Sequence, residues 1–206
     1  MSEVIAIVGA ESTGKTTLAA ELTEALRRKG LDAVRVDEYL REFCIVHGRT
    51  PEVHEQAAIA QEQARRIDAA AADHAIVVAD TSALMIAVYS ELIFGDTSLY
   101  ADAEASQRRY RHTLLTSLDL PWEADGHMRD GEHVREPVTA LLRASLARAG
   151  VGYAVVSGEG PQRLRCALAA VGHALPDDSP PRPWQWVCER CGDAGCERHL
   201  LARGDR

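Results

Sequence analysis

No apolar run in this chain approaches the roughly 18 residues that a membrane span requires, and no basic excess marks a nucleic-acid binder. Lysine and arginine together number 23 against 31 acidic residues, a formal charge of −8 over 206 residues. That balance argues against nucleic acid as the main partner, yet leaves room for a local basic pocket that takes an anionic small molecule. The start, MSEVIAIVG, lacks the basic segment, long apolar stretch and cleavage site of a secretory leader. A cytoplasmic, membrane-free protein is expected, and disulfides are not. Cys44 and Cys166 stand alone and read as small buried hydrophobes.

Apolar runs alternate with longer amphipathic stretches. Strands are expected at Val4–Gly9, Ala33–Asp37, Ala75–Asp80, Thr113–Ser117 and Gly152–Ser157. Helices are expected over about Lys15–Lys29, Pro51–His74, the stretch to Phe94, Glu136–Ala149 and Pro161–Ala174, with Pro51 placed in a first turn. Strands that alternate with helices imply an α/β fold, a five-stranded parallel sheet flanked by helices. Ligands then gather at the C-terminal ends of the strands. The expected organisation is a body over 1–175, a proline-rich linker over 176–183 (within PDDSPPRP) and a small tail over 184–206.

The sequence GAESTGKT, from Gly9 to Thr16, is a complete P-loop pattern set between a strand and a helix. Gly9, Glu11, Ser12, Thr13, Gly14, Lys15, Thr16 and Thr17 are the expected nucleotide-binding residues. The glycines let backbone N–H groups turn toward phosphate oxygens, and the helix N-terminus adds its positive end. Lys15 would reach the β and γ phosphates of ATP, and Thr16 would offer a hydroxyl to Mg²⁺. Asp80, at the end of IVVAD, is the expected second Mg²⁺ anchor; the alternative is an N-cap for the helix that follows.

A P-loop alone does not separate a kinase from a switch or a motor. After the second strand comes DEYLRE, and Asp37 or Glu38 there could accept the proton of an acceptor hydroxyl. Glu11 is a further candidate, because an acid inside a phosphate cradle is costly unless it faces the acceptor. The stretch LDLPWEADGHMRDGEHVR follows the fourth strand, where small-molecule kinases carry a lid. Arg129 and Arg135 are the candidates to close on the transferred phosphoryl group. Trp122 beside Asp125 suits a flat, cationic, hydroxylated ligand, since an indole face attracts a cation.

The ordered set GAESTGKTTL, EYLRE, VVADTS and PWEADG resembles the ribosylnicotinamide kinase domain of NadR-type NAD-biosynthesis proteins, over about Val4 to Val171. The resemblance implies a P-loop kinase fold and transfer of the ATP γ-phosphoryl group to the 5′-hydroxyl of nicotinamide riboside. It places the family's lysine and hydroxyl at Lys15 and Thr16, its acid–tyrosine–arginine element at Glu38, Tyr39 and Arg41, its strand-end acid at Asp80 and its lid at Trp122, Asp125 and Arg129. The stretch from Gly126 to Arg129 is one residue longer than the family's lid. NadR-type proteins usually carry an adenylyltransferase, often with a DNA-binding segment, before the kinase; the chain starts at the first kinase strand, so neither activity is expected of it. The rivals are a kinase of another nucleoside or small metabolite, and a nucleotide-dependent regulatory ATPase.

In the tail, Cys188, Cys191, Cys196 and His199 have the spacing C-x₂-C-x₄-C-x₂-H. Three thiolates and an imidazole suit a closed tetrahedral Zn²⁺ site. Such a short segment has little core of its own, so a metal would supply its folding energy and a protein partner could dock there.

Overall fold

The computed structural model describes residues 2–123 and 131–174. They belong to one compact unit, Met1–Leu175. Five strands alternate with seven helices along it. In chain order these are β1 (Glu3–Val8), α1 (Lys15–Arg28), β2 (Ala33–Val36), α2 (Tyr39–His47), α3 (Gln56–Asp73), β3 (Ile76–Asp80) and α4 (Ala83–Phe94). They continue as α5 (Tyr100–Gln107), β4 (His112–Thr116), α6 (Arg135–Ala149), β5 (Ala154–Val156) and α7 (Gly160–Ala170). The sheet order is β2-β3-β1-β4-β5 and every pairing is parallel.

β1 lies at the centre, and its side chains alternate between two cores as a two-residue period demands. Ile5 and Ile7 pack with Leu18, Leu22 and Leu26 of α1 and with Leu168 of α7. Val8 turns to the other face, where α4 and α6 supply Leu84, Ile86, Leu142 and Leu146. Leu22 and Ile5 are fully enclosed, so cutting either to alanine should cost about 2–5 kcal/mol through lost burial plus a cavity.

The five strands lie where the sequence pattern puts them: β1 and β4 begin and end one residue earlier than expected, β2 and β3 are one residue shorter, and β5 is three residues shorter. The helix over Pro51–His74 starts later than expected. A single 3-10 turn, Val53–Glu55, precedes α3, and Glu52 and Glu55 cap each other's backbone there. This capping box fixes the entry at Glu55, so Pro51 lies outside the helix. α2 and α5 are additional to the expected elements. α5 spans only 8 residues, too short for a clear helical period. No described helix is long and apolar enough to cross a membrane.

Candidate active site

The loop from Gly9 to Gly14 joins the central strand to α1, so its shape is set by the core on both sides. Two glycines in it are required by space. A Cβ on Gly9 would stand 1.9 Å from the Thr116 hydroxyl oxygen, and one on Gly14 would stand 3.0 Å from Leu120 Cδ1. Both have positive φ, 153° and 73°, which an L side chain resists. Thr13 is buried and shares a hydroxyl–hydroxyl hydrogen bond of 2.7 Å with Thr116, whose own Oγ1 reaches Val8 O at 3.3 Å. Lys15 Nζ donates to Ala10 O at 2.9 Å and so folds over the loop toward the cleft.

That cleft has a volume of about 460 Å³ and runs from the loop residues Glu11 to Thr17 to the walls made by α2 and α4. Of the acids expected near the acceptor, Glu11 and Glu38 line it and Asp37 does not. Asp37 instead pairs with Arg35 at 2.6 Å and is largely exposed. Glu38 is the N-cap position of α2, and its carboxylate lies 3.9 Å from Arg41, which also lines the cleft. Burial pushes the Glu38 carboxyl above its ordinary value; Lys15 pulls it down, and Asp80 and Glu11 push it further up. Glu38, Lys15, Asp80 and Glu11 therefore form one electrostatic group.

Asp80 ends β3 and is 2% exposed. Burial raises its carboxyl too, opposed by the Thr16 hydroxyl and by Lys15. Its Oδ1 is buried with no hydrogen-bond partner. An orphaned carboxylate oxygen beside a threonine hydroxyl is the donor set a hard divalent cation takes, so Thr16 and Asp80 fit Mg²⁺. The next residue, Thr81, has φ 81°, a costly conformation for a β-branched side chain. Its N–H bonds Ile7 O at 3.1 Å, which ties the bend after Asp80 to the central strand.

Tyr39 does not line the cleft. Its ring carries the guanidinium of Arg66 at 4.4 Å, and its N–H donates to Gln63 Oε1 at 2.7 Å. Gln63 also donates from Nε2 to Asp37 O at 3.4 Å. This fully buried glutamine thus grips the backbone on both sides of Glu38. Sequence reasoning missed it, although a glutamine on the apolar stripe of a helix was a signal.

The segment after β4 is fastened to the phosphate loop. Glu123 N–H donates to Ser12 Oγ at 2.8 Å, and Ser12 Oγ meets Pro121 O at 3.5 Å. Trp122 sits between these two contacts, half-buried, and does not line the cleft. The rings that do line it are Tyr89 and Phe94 of α4. Arg135 is buried and donates to Leu120 O at 2.8 Å; it braces the segment after β4 and is not part of the cleft lining. Arg163 of α7 donates to Asp119 Oδ1, Gly158 O and Thr13 O, at 2.8, 2.8 and 2.7 Å. Burial alone would raise Asp119, but the Arg163, Ser117 and Gly158 hydrogen bonds outweigh it and hold the carboxyl at about 2. Neither Arg163 nor Asp119 was expected from the sequence; a lone arginine in a helix carries no motif.

Asp125, Gly126 and Arg129 lie outside the described residues, as do Cys188, Cys191, Cys196, His199 and the linker. Among the described residues no group of three or more His, Cys, Asp and Glu side chains could hold a metal. Cys44 is buried, as expected, and lines the cleft; Cys166 is only half-buried.

Among curated proteins none matches this chain. Among the solved structures that share its fold are two of NadR proteins. One is a NadR protein in complex with NAD and AMP-PNP, with TM-score 0.65 and 20% identity over 89% of this chain and 52% of that one. The other is a NadR protein in complex with NR, with TM-score 0.68 and 23% identity over 88% of this chain and 53% of that one. At these identities the likeness is one of fold, and the chain spans about half the length of either protein. A family model described as an AAA domain matches residues 4–163, from the central strand through the phosphate loop to α7, and this chain belongs to that AAA domain family.

Proposed function

We propose that the protein is an ATP- and Mg²⁺-dependent small-molecule kinase that phosphorylates the 5′-hydroxyl of nicotinamide riboside to nicotinamide mononucleotide. The observation that carries the reading is Glu38 lining the same cleft as Lys15, with Asp80 near enough to act on its charge. A switch needs the cation and the phosphate loop but has no use for a buried acid on the acceptor side. The fold shared with NadR proteins bound to AMP-PNP and to NR supports the same reading.

Lys15 and the loop N–H groups hold the phosphate oxygens. Thr16 and Asp80 would hold Mg²⁺, which supplies neutralising charge at those oxygens when bound. Glu38 takes the proton from the acceptor 5′-hydroxyl as that oxygen bonds to the γ-phosphorus and the bond to the β–γ bridging oxygen breaks, releasing ADP. A carboxyl raised by burial is a better base near neutral pH than an ordinary glutamate. Arg163 ties Asp119 to the phosphate loop at Thr13 and Arg135 ties Leu120 to α6, while Trp122, Asp125 and Arg129 are assigned to a lid over the acceptor.

The test is product analysis with purified chain, ATP, Mg²⁺ and nicotinamide riboside. Nicotinamide mononucleotide and ADP should appear in equal amounts. Efficient phosphorylation of another nucleoside with none of this one would move the assignment to that acceptor. Slow ATP hydrolysis with no phosphorylated acceptor would identify a regulatory ATPase.

A further inference from the structure

Gln63 stands on the buried stripe of α3, with Ile59 and Ala60 before it and Ile67 after it. Those neighbours belong to two of the apolar cores, and Gln63 is itself fully buried. An aliphatic side chain would cost less at such a position, because only hydrogen bonds offset the desolvation of a buried amide. Both ends of this amide are in use, and both meet backbone. Oε1 accepts from Tyr39 N–H at 2.7 Å, and Nε2 donates to Asp37 O at 3.4 Å. The two partners fix which end of the amide is which.

These backbone groups flank Glu38. The carbonyl of Asp37 belongs to the peptide unit before the Glu38 Cα, and the N–H of Tyr39 to the unit after it. With both units held by one planar amide, the direction in which the Glu38 side chain leaves the backbone is set. Tyr39 is the first residue of α2, so its N–H is one of the donors that a helix leaves without an internal partner. The side chain at the N-cap position usually serves the donors of this first turn. Glu38 holds that position and makes no capping bond. Its side chain lines the cleft instead. Gln63 serves the Tyr39 donor from the neighbouring helix, which leaves the Glu38 carboxylate to the cleft.

We propose that Gln63 is a positioning residue for phosphoryl transfer, a cap supplied by α3 that turns the Glu38 side chain into the cleft. The proposal rests on the kinase reading above, in which Glu38 takes the acceptor proton. The experiment is a double-mutant cycle of Gln63→Met and Glu38→Gln, with kcat and the KM values for ATP and for the acceptor measured in each variant. Gln63→Met should lower kcat by about 10–100-fold, the loss expected of a slightly misplaced catalytic group, and leave the KM for ATP unchanged. In the Glu38→Gln background the same substitution should change kcat by less than about twofold, since no base is left to misplace. Gln63→Glu should recover most of the lost kcat, because its carboxyl accepts from Tyr39 N–H in either protonation state. Equal losses in the two backgrounds, or a KM for ATP that rises as kcat falls, would reduce Gln63 to a packing residue and overturn the proposal. If Gln63→Met does not fold, Gln63→Asn, whose amide is a methylene too short to reach both groups, takes its place with the same expectations. Failure of the kinase reading shows separately, as a wild type that phosphorylates no acceptor. A crystal structure of the folded variant then decides the positioning alone: a Glu38 carboxylate turned out of the cleft keeps it, and an unmoved one sinks it.

Discussion

The exposed acids of α3 and of the turn before it, and the acids at the cleft, are held in opposite ways. Glu55 is chelated by Arg49 through two hydrogen bonds of 2.6 and 2.7 Å, and Glu62 by Arg65 and Arg66. These partners pull both carboxyls down to about 2. At the cleft burial dominates: Glu38 in its lining and Asp80, coupled to it, are both raised. On the surface the chain supplies its own counter-ions, and solvent screens what remains. In the cleft the fold leaves negative charge under-compensated, so the site is finished only by what it binds. The contrast separates charge that serves stability from charge that serves chemistry.

The contrast breaks most sharply at Lys15, the cation at the start of α1 that acts on both Glu38 and Asp80. Lys15→Ala should abolish phosphoryl transfer while the fold persists, since its side chain is only half-buried and supports no core. Wild-type turnover by a folded variant in a direct product assay would remove the phosphate loop from the mechanism. Next comes Glu38→Gln, which should lower kcat by about 10²–10⁴, the range of a general base, and leave ATP affinity nearly unchanged. The acid limb of the wild-type pH profile should lie above an ordinary glutamate and vanish in the variant. An unchanged profile would assign that limb to another group.

Asp80→Asn turns the comparison into stability. A carboxyl whose folded value is raised penalises the folded state above that value, and the penalty fades as pH falls below its ordinary 3.8. The variant should therefore melt higher than wild type at neutral pH, with the gain shrinking in acid, while Mg²⁺-dependent turnover falls. Melting curves across pH, recorded without nucleotide or metal, check this. A variant that is less stable at neutral pH would show that Thr16 and Lys15 already balance the charge. The surface pairs should show the smallest effect. Arg49→Ala should scarcely move the melting temperature near pH 7, and what it does move should lie above pH 4.5, where Glu55 is ionised in either state, and fade as pH falls toward 2. A large shift would mean that the capping box before α3 depends on this arginine.

The comparison also marks what could be read in advance. Strand positions were legible because a parallel sheet covered on both faces needs short apolar runs, and the cores of β1 and β3 are such runs. Lys15, Thr16 and Asp80 were legible because phosphate and cation chemistry needs fixed residue types at fixed points of a strand–loop–helix. The start of α3 was misplaced because Pro51 is a strong helix signal and the reciprocal pairing of Glu52 with Glu55 is a weaker one in sequence. Asp37 and Glu38 were indistinguishable as neighbours of the same type. Only the fold decides between them, pairing one with Arg35 and placing the other in the cleft lining.

By itself the sequence determined the parallel α/β body and the phosphate loop with its lysine and hydroxyl, because each depends on local pattern: two-residue alternation, a glycine where no Cβ fits, a helix N-terminus beside a strand. Only the tertiary structure decided which side chains serve that loop from a distance. Gln63 holds Glu38 across 24–26 residues, and Arg163 reaches Thr13 across 150. These are single polar residues with no motif around them. Their roles exist only where parallel strands, joined by long crossovers, bring far parts of the chain to the same edge of the sheet.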